Sequence, residues 1–205
     1  MNDHYFSADP SAPFEREPVS CEVWGQRLDL ISGSGVYSRG RLDIGTSVLF
    51  RETEPPEPGH VLDLGTGYGV IGLAVAASWR ARGVPAGSSS GVTGVEVNQR
   101  AVLLANQNAA RLGLQDRFIA CDPEIVPDDV RFDEIWSNPP IRIGKQALHR
   151  LLLHWFARLR PGGRAMLVVG KNLGADSLQN WLIDQGYPTL RLASAKGFRV
   201  LESRR

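Results

Sequence analysis

The stretch best suited to chemistry is Val61-Leu62-Asp63-Leu64-Gly65-Thr66-Gly67-Tyr68-Gly69-Val70-Ile71-Gly72. Closely spaced glycines between a strand-like run and a helical one let a ligand approach the backbone and a helix N-terminus. Gly67, Gly69 and Gly72 satisfy a loosely read dinucleotide fingerprint, so the glycines alone leave the ligand open. Asp63 narrows it. An acid two residues before the first glycine repels a pyrophosphate and suits a cationic or zwitterionic ligand such as S-adenosylmethionine. Glu96, expected at the end of the next strand and followed by Val97, can accept from both hydroxyls of a ribose, which either ligand carries. Asp122, ending a third strand, could face an adenine amine. Each residue alone reads equally well as a turn glycine or a helix cap. Together, at successive strand ends of one open sheet, Asp63, Gly65, Thr66, Gly67, Gly69, Glu96, Val97 and Asp122 are the expected cofactor-binding set.

A second cluster, Ser137-Asn138-Pro139-Pro140, follows a fourth strand. Proline holds the preceding residue extended and stiffens the loop. An exocyclic amine on a base or amide is a poor nucleophile because its lone pair is conjugated. If the Asn138 side-chain oxygen and the Pro139 carbonyl both accept from that amine, its lone pair can turn toward a methyl sulfonium. Catalysis is then orientation and electrostatics, without a strong base. Asn138, Pro139 and Pro140 are the catalytic candidates, with Asn138 also bordering the cofactor.

The elements that must position these groups alternate. Strands are expected over 60–65, 92–97, 118–121, 132–137 and 164–169. Helices are expected over 69–82, from an Asn98 cap to Leu112 before Gly113, over 145–160 up to Arg160-Pro161-Gly162-Gly163, and over about 175–185. Such alternation implies a doubly wound, mostly parallel sheet. Thr189–Ala195 and Phe198–Ser203, separated by Lys196-Gly197, form an antiparallel pair at its end. Residues 1–59 read as an extended arm marked by Pro10, Pro13 and Pro18, a hairpin over Cys21–Ser32 turning at Gly25-Gln26, and a linker around Pro55-Pro56. Residues 83–91 read as a surface loop.

With 205 residues, 42% hydrophobic and 22% charged, the chain suits one well-buried domain over 1–205, with the catalytic core at 60–205. Cys21 and Cys121 form no disulfide framework or metal motif, and no metal is assigned. No apolar run approaches the ~18 residues of a membrane span. The N-terminus lacks the pattern of a signal peptide, so the expected setting is cytoplasmic.

Asp63–Gly69, Glu96, Asp122 and Asn138-Pro139-Pro140-Ile141-Arg142-Ile143-Gly144-Lys145 resemble the class I S-adenosylmethionine-dependent methyltransferases. Within them the likeness is to the small methyltransferase domain of ribosomal RNA guanine-N2 enzymes, shared by Gly35-Val36-Tyr37-Ser38, Asp43-Ile44-Gly45-Thr46 and Lys196-Gly197-Phe198. The resemblance implies a seven-stranded sheet with an antiparallel last strand and methylation of guanine N2 in small-subunit ribosomal RNA. It also implies that Tyr37, Gly45 and Thr46 line the cofactor or substrate pocket from the N-terminal side. Two departures stand out. Relatives acting on planar amines usually carry Phe or Tyr after Asn-Pro-Pro to stack on the base; here it is Ile141, leaving Tyr5, Phe6, Trp24 and Tyr37 as candidate stackers. The better-known guanine-N2 enzymes also carry an additional domain before this one.

Net charge is only +1, yet residues 135–175 contain no acid and seven Lys or Arg, with His149 and His154. This stretch begins at the reacting loop, where RNA phosphates would dock, and Arg142 and Lys145 are the expected substrate contacts beside Tyr37 and Ile141. The alternatives are methylation of adenine N6 or of a protein glutamine amide, a non-catalytic cofactor-binding RNA module, and a nicotinamide-dependent oxidoreductase.

Overall fold

The computed structural model describes residues 14–38, 40–87 and 90–205. Seven strands form one sheet, in chain order β3 (His60–Leu64), β4 (Gly91–Val95), β5 (Phe118–Cys121), β6 (Phe132–Ser137), β7 (Leu159–Gly170), β8 (Thr189–Ala195) and β9 (Phe198–Arg204). Their spatial order is β5-β4-β3-β6-β7-β9-β8, with the first five mutually parallel. The last strand, β9, is antiparallel and lies between β7 and β8 rather than at the edge. The chain therefore reverses direction across the sheet between β3 and β6, where open α/β sheets bind ligands.

Helices cover both faces: α2 (Val70–Ala81), α3 (Gln99–Leu112), α4 (Lys145–Phe156) and α5 (Ala175–Asp184). Asn98 caps α3 by accepting from the Arg100 and Ala101 N–H groups, and left-handed Gly113 ends it, as the sequence implies. One apolar core lies under α2 and α3, and a second under α4 and α5 around Leu152, Trp155, Phe156 and Leu167.

Several elements differ from expectation. The hairpin, β1 (Arg16–Val23) with β2 (Gln26–Gly33), turns at Trp24-Gly25, one residue earlier than the sequence suggests. Both turn residues have positive φ, at 49° and 73°, as a tight two-residue hairpin of matching twist requires. Trp24 tolerates this because its indole N–H is held by the Phe50 and Thr53 carbonyls and its ring packs against Phe50 and Trp136. The hairpin shares the core of α2 and α3, and Asn108 of α3 bonds both the N–H and carbonyl of Ile31.

A short helix, α1 (Ile44–Arg51), lies between the hairpin and the linker, where the sequence reading assigned no element. Asp43 caps it by accepting from Thr46 N–H, and Val48, Leu49 and Phe50 bury its apolar face. Finally, α4 stops at Phe156 and β7 already begins at Leu159, so Pro161-Gly162-Gly163 is an irregularity inside a long strand. Gly163 permits it because a Cβ there would lie 2.8 Å from the Asp133 carbonyl oxygen and 2.9 Å from that of Arg160.

Candidate active site

A cleft of about 480 Å³ opens over the carboxyl ends of β3, β4, β6 and β7, the start of β9 and the N-terminal end of α1. On its β3–β4 side the glycine loop supplies the floor. Gly65, Gly67 and Gly69 all adopt positive φ, which an L side chain resists. A Cβ at Gly67 would meet nothing within 4 Å, so the loop opens onto the cleft there. Gly69 lies outside the lining and serves packing: it starts α2, and a Cβ would press on Leu73 and Ala105 at 3.0 and 3.2 Å.

Asp63 does not reach the cleft. It is fully buried beneath the loop, and its Oδ2 accepts from Thr66 Oγ1 at 2.6 Å and Gly72 N at 2.8 Å. These two bonds fix the loop from below. Burial raises the pKa of Asp63 to about 6, and nearby Glu96 adds to the rise. Its Oδ1 has no partner among the described residues.

Glu96 does line the cleft, just beyond the end of β4, where its strand stops two residues earlier than expected. The backbone N–H groups of Gly67, at 3.2 Å, and Asn98, at 3.0 Å, hold its two oxygens. Burial raises its pKa, opposed by those same N–H groups. Val97 beside it is exposed and lines the wall. Asp122 is engaged elsewhere: it caps a 3-10 turn through Glu124 N and accepts from Gln99 Nε2, while its neighbour Pro123 faces the cleft.

On the opposite side stand Asn138, Pro139, Pro140, Ile141 and Arg142. Ser137, fully buried, donates to the Leu64 carbonyl at 2.6 Å and locks the top of β6 to β3. Asn138 Nδ2 donates to Asp43 Oδ2 at 2.7 Å and to Thr46 Oγ1 at 3.0 Å. A carboxylate only accepts, so Asp43 fixes which end of the amide faces it. The carboxamide oxygen is then the free end, and no donor among the described residues meets it. The Pro139 carbonyl accepts from Ile141 N–H at 2.8 Å in a tight turn around Pro140, which leaves its second lone pair.

Asp43, quoted in the sequence only within the Asp43–Thr46 likeness, is the site residue to which sequence reasoning gave no role. Besides Asn138 and the helix cap, its Oδ1 accepts from the Tyr37 hydroxyl at 2.7 Å, so one carboxylate joins the N-terminal loop, α1 and the β6 loop. The available signal was the cap pattern at Asp43 through Thr46, ahead of an apolar run. Tyr37 and Thr46 line the cleft; Gly45 does not, and instead faces Phe198, which the sequence reading placed in the Lys196-Gly197-Phe198 likeness without a site role. Of the proposed stackers, Trp24 is packed against Phe50 and Trp136, and Tyr5 and Phe6 lie outside the described residues.

The basic stretch divides. Arg158 pairs with Asp128, Arg160 with Asp133, and Arg164 with both Glu134 and Glu202. Among the described residues Arg142, Lys145, Arg150, Lys171 and Lys196 have no acidic partner, and all are exposed. Four of them sit in, or at the start of an element following, connections at the sheet's carboxyl edge; Arg150 lies farther along α4. Lys145 is at the rim, outside the cleft's lining. His149 stacks on Trp181 at 3.5 Å and His154 packs edge-on to Trp155, so both serve the helical layer. No helix among the described residues is long and apolar enough to cross a membrane.

Residues 27–202 match the family described as "Methyltransferase small domain". The chain is 30% identical to the Bacillus subtilis uncharacterized protein YbxB over 208 residues, covering both chains in full. It is 33% identical to the ribosomal RNA small subunit methyltransferase C of Alcanivorax borkumensis, covering 90% of this chain and 56% of that one. Among solved structures, the T. thermophilus 16S rRNA N2 G1207 methyltransferase, in complex with AdoMet and guanosine, superposes with a TM-score of 0.77 at 25% identity. That match covers 96% of this chain and 52% of the other. The chain thus spans little more than half of its methyltransferase C relatives. The glycine loop over β3, the switch in strand order and the family match agree: this chain belongs to the methyltransferase small domain family.

Proposed function

We propose that the protein transfers a methyl group from S-adenosylmethionine to an exocyclic amine, that of guanine N2 in small-subunit ribosomal RNA. The observation that carries this reading is the Asn138 amide. Asp43 and Thr46 take both of its N–H donors, leaving Oδ1 beside the Pro139 carbonyl as a pair of acceptors for an amine. Two accepted hydrogen bonds fix the amine's plane and direct its lone pair, which is the orientation a conjugated nitrogen needs.

S-adenosylmethionine fits the β3–β4 side by the chemistry of the groups there. Glu96 and the buried Asp63 have no basic partner among the described residues, so this half is negative; that favours a sulfonium and disfavours a pyrophosphate. Glu96 would hold the ribose, with Val97 and Pro123 flanking the adenine. When bound, the cofactor supplies a methyl group made electrophilic by its sulfonium. The protein's own residues then position the amine, exclude water with the apolar wall around Ile141 and Leu151, and leave the surplus proton to solvent.

The unpaired cations favour RNA over a protein amide as the substrate. Arg142, Lys145, Lys171 and Lys196 border the amine side, where phosphates flanking an extruded nucleotide would lie. Radiolabelled methyl transfer should be measured into small ribosomal subunits, naked ribosomal RNA and ribosome-free protein extract. Label is expected in RNA with wild type, falling at least ~1,000-fold with Asn138→Ala while cofactor affinity stays within about three-fold. Label in protein alone would transfer the reading to a glutamine amide. No label in any arm would overturn it.

A further inference from the structure

Resting on the reading above, we infer that Phe198 is the aromatic face on which the ring bearing the target amine stacks, in place of the aromatic absent at Ile141. Among the described residues four aromatic side chains line the cleft, Tyr37, Tyr68, Trp155 and Phe198. Tyr68 and Trp155 are 3% and 1% exposed and have no face to offer. Tyr37 is tethered through its hydroxyl to Asp43, on the N-terminal loop. Phe198 is half-buried and begins β9, on the same side of the cleft as the amine acceptors.

Gly170 is the cross-strand partner of Phe198 in the β7–β9 ladder, and the space above that glycine is taken by Leu173, which lines the same cleft. A glycine from a separate element makes room for the phenyl ring. Gly45, in the first turn of α1, receives the ring's edge: a Cβ there would lie 2.8 Å from Phe198 Cε1 and 3.1 Å from Cδ1. The same helical turn holds the amide of Asn138 through Asp43 and Thr46. Adjacent residues of one turn therefore set both the aromatic ring and the hydrogen-bonding amide, and this gives Gly45 a function that cofactor contact does not. Lys171 N–H bonds the Gly197 carbonyl at 2.8 Å and holds the strand start in place. Apart from Arg142, this side of the wall carries the apolar side chains of Ile141, Leu151 and Val168, which suit a planar ring better than an aliphatic amide.

The test is steady-state methyl transfer to the RNA substrate by wild type, Phe198→Leu, Phe198→Tyr and the double variant Phe198→Leu/Ile141→Phe, with cofactor affinity and melting temperature measured alongside. Stacking predicts that Phe198→Leu lowers kcat/KM for RNA by about 5- to 150-fold with cofactor affinity within about two-fold of wild type. Phe198→Tyr, which keeps a ring, should stay at least about five-fold above Phe198→Leu, and Ile141→Phe should recover part of the loss by restoring a ring from the other side. Wild-type rates in Phe198→Leu, or a loss shared by cofactor affinity and melting temperature that neither ring restores, would overturn the assignment. If wild type labels RNA and Phe198→Leu is equally fast, the stacking role alone fails. If wild type labels no RNA, the functional reading fails and the stacking role fails with it.

Discussion

On the β3–β4 side of the cleft, the surface facing a ligand is mainly backbone: a glycine loop, braced from beneath by Asp63 and clipped to Glu96 through the Gly67 N–H. On the β6–β9 side it is side chains from segments far apart in the chain, with Asn138 held by Asp43 and Thr46, 95 and 92 residues away, and Phe198 set against Gly45. The first half is self-contained within one strand-loop-helix unit and its neighbouring strand end. The second exists only once the N-terminal segment has closed over the sheet. Damage to the first should appear as lost cofactor affinity, and damage to the second as lost turnover with affinity retained.

The sharpest test of that division after Asn138 is Asp43. Asp43→Ser keeps an oxygen able to cap α1, yet it is too short to reach Asn138 and Tyr37 together. We expect kcat to fall by about 10- to 100-fold, as for loss of a charge-assisted hydrogen bond that orients a reacting group. Cofactor affinity should stay within about three-fold, and Asp43→Asn should recover much of the rate because its oxygen can still accept from Asn138. If kcat/KM falls only in step with melting temperature, Asp43 is merely a helix cap.

Glu96→Ala probes the other half. Cofactor binding should weaken by about 1.5–3 kcal/mol, the range for hydrogen bonds to a charged group, with kcat at saturating cofactor little changed. A titration calorimeter and a rate assay together decide it. Unchanged affinity would remove Glu96 from the ribose site, and a selective loss of kcat would dissolve the division between the two halves.

The same difference explains what could be read from the sequence. The glycine loop, the Asn98 cap, the Gly113 stop and the strand ends carrying Glu96 and Asn138 are local signals, and the sheet follows from their alternation. Asp43 carried no role of its own in the sequence because Asn138, the partner that ties it to the β6 loop, is 95 residues away and α1 spans only eight residues, between a loop and a proline-rich connection. Phe198, quoted only within the Lys196-Gly197-Phe198 likeness, had no role for a related reason: an aromatic at a strand start is ordinary until Gly45 is seen beside it. The basic stretch looked uniform because Asp128, Asp133, Glu134 and Glu202, which neutralise part of it, come from other segments. Asp63 was seen but assigned to the ligand, since a sequence does not distinguish a carboxylate in a wall from one beneath a floor.

That placement has a consequence in stability, the smallest effect expected here. Burial holds the Asp63 carboxyl at about 6, against 3.8 for the free group. Between roughly pH 4 and 6 the folded protein keeps a proton that the unfolded chain has lost, so raising pH through this window costs stability, and the full cost persists above it. The displacement corresponds to at most roughly 3 kcal/mol. Glu96 is shifted in the same direction, so wild type alone would mix the two contributions. Asp63→Asn separates them, since the amide can still accept from Thr66 and Gly72 but does not titrate. Urea unfolding of the ligand-free protein from pH 7 down to pH 4 should show wild type gaining stability relative to Asp63→Asn. Parallel profiles would mean that Asp63 ionises as an ordinary carboxyl, and that the negative half of the cleft is not built on a buried charge.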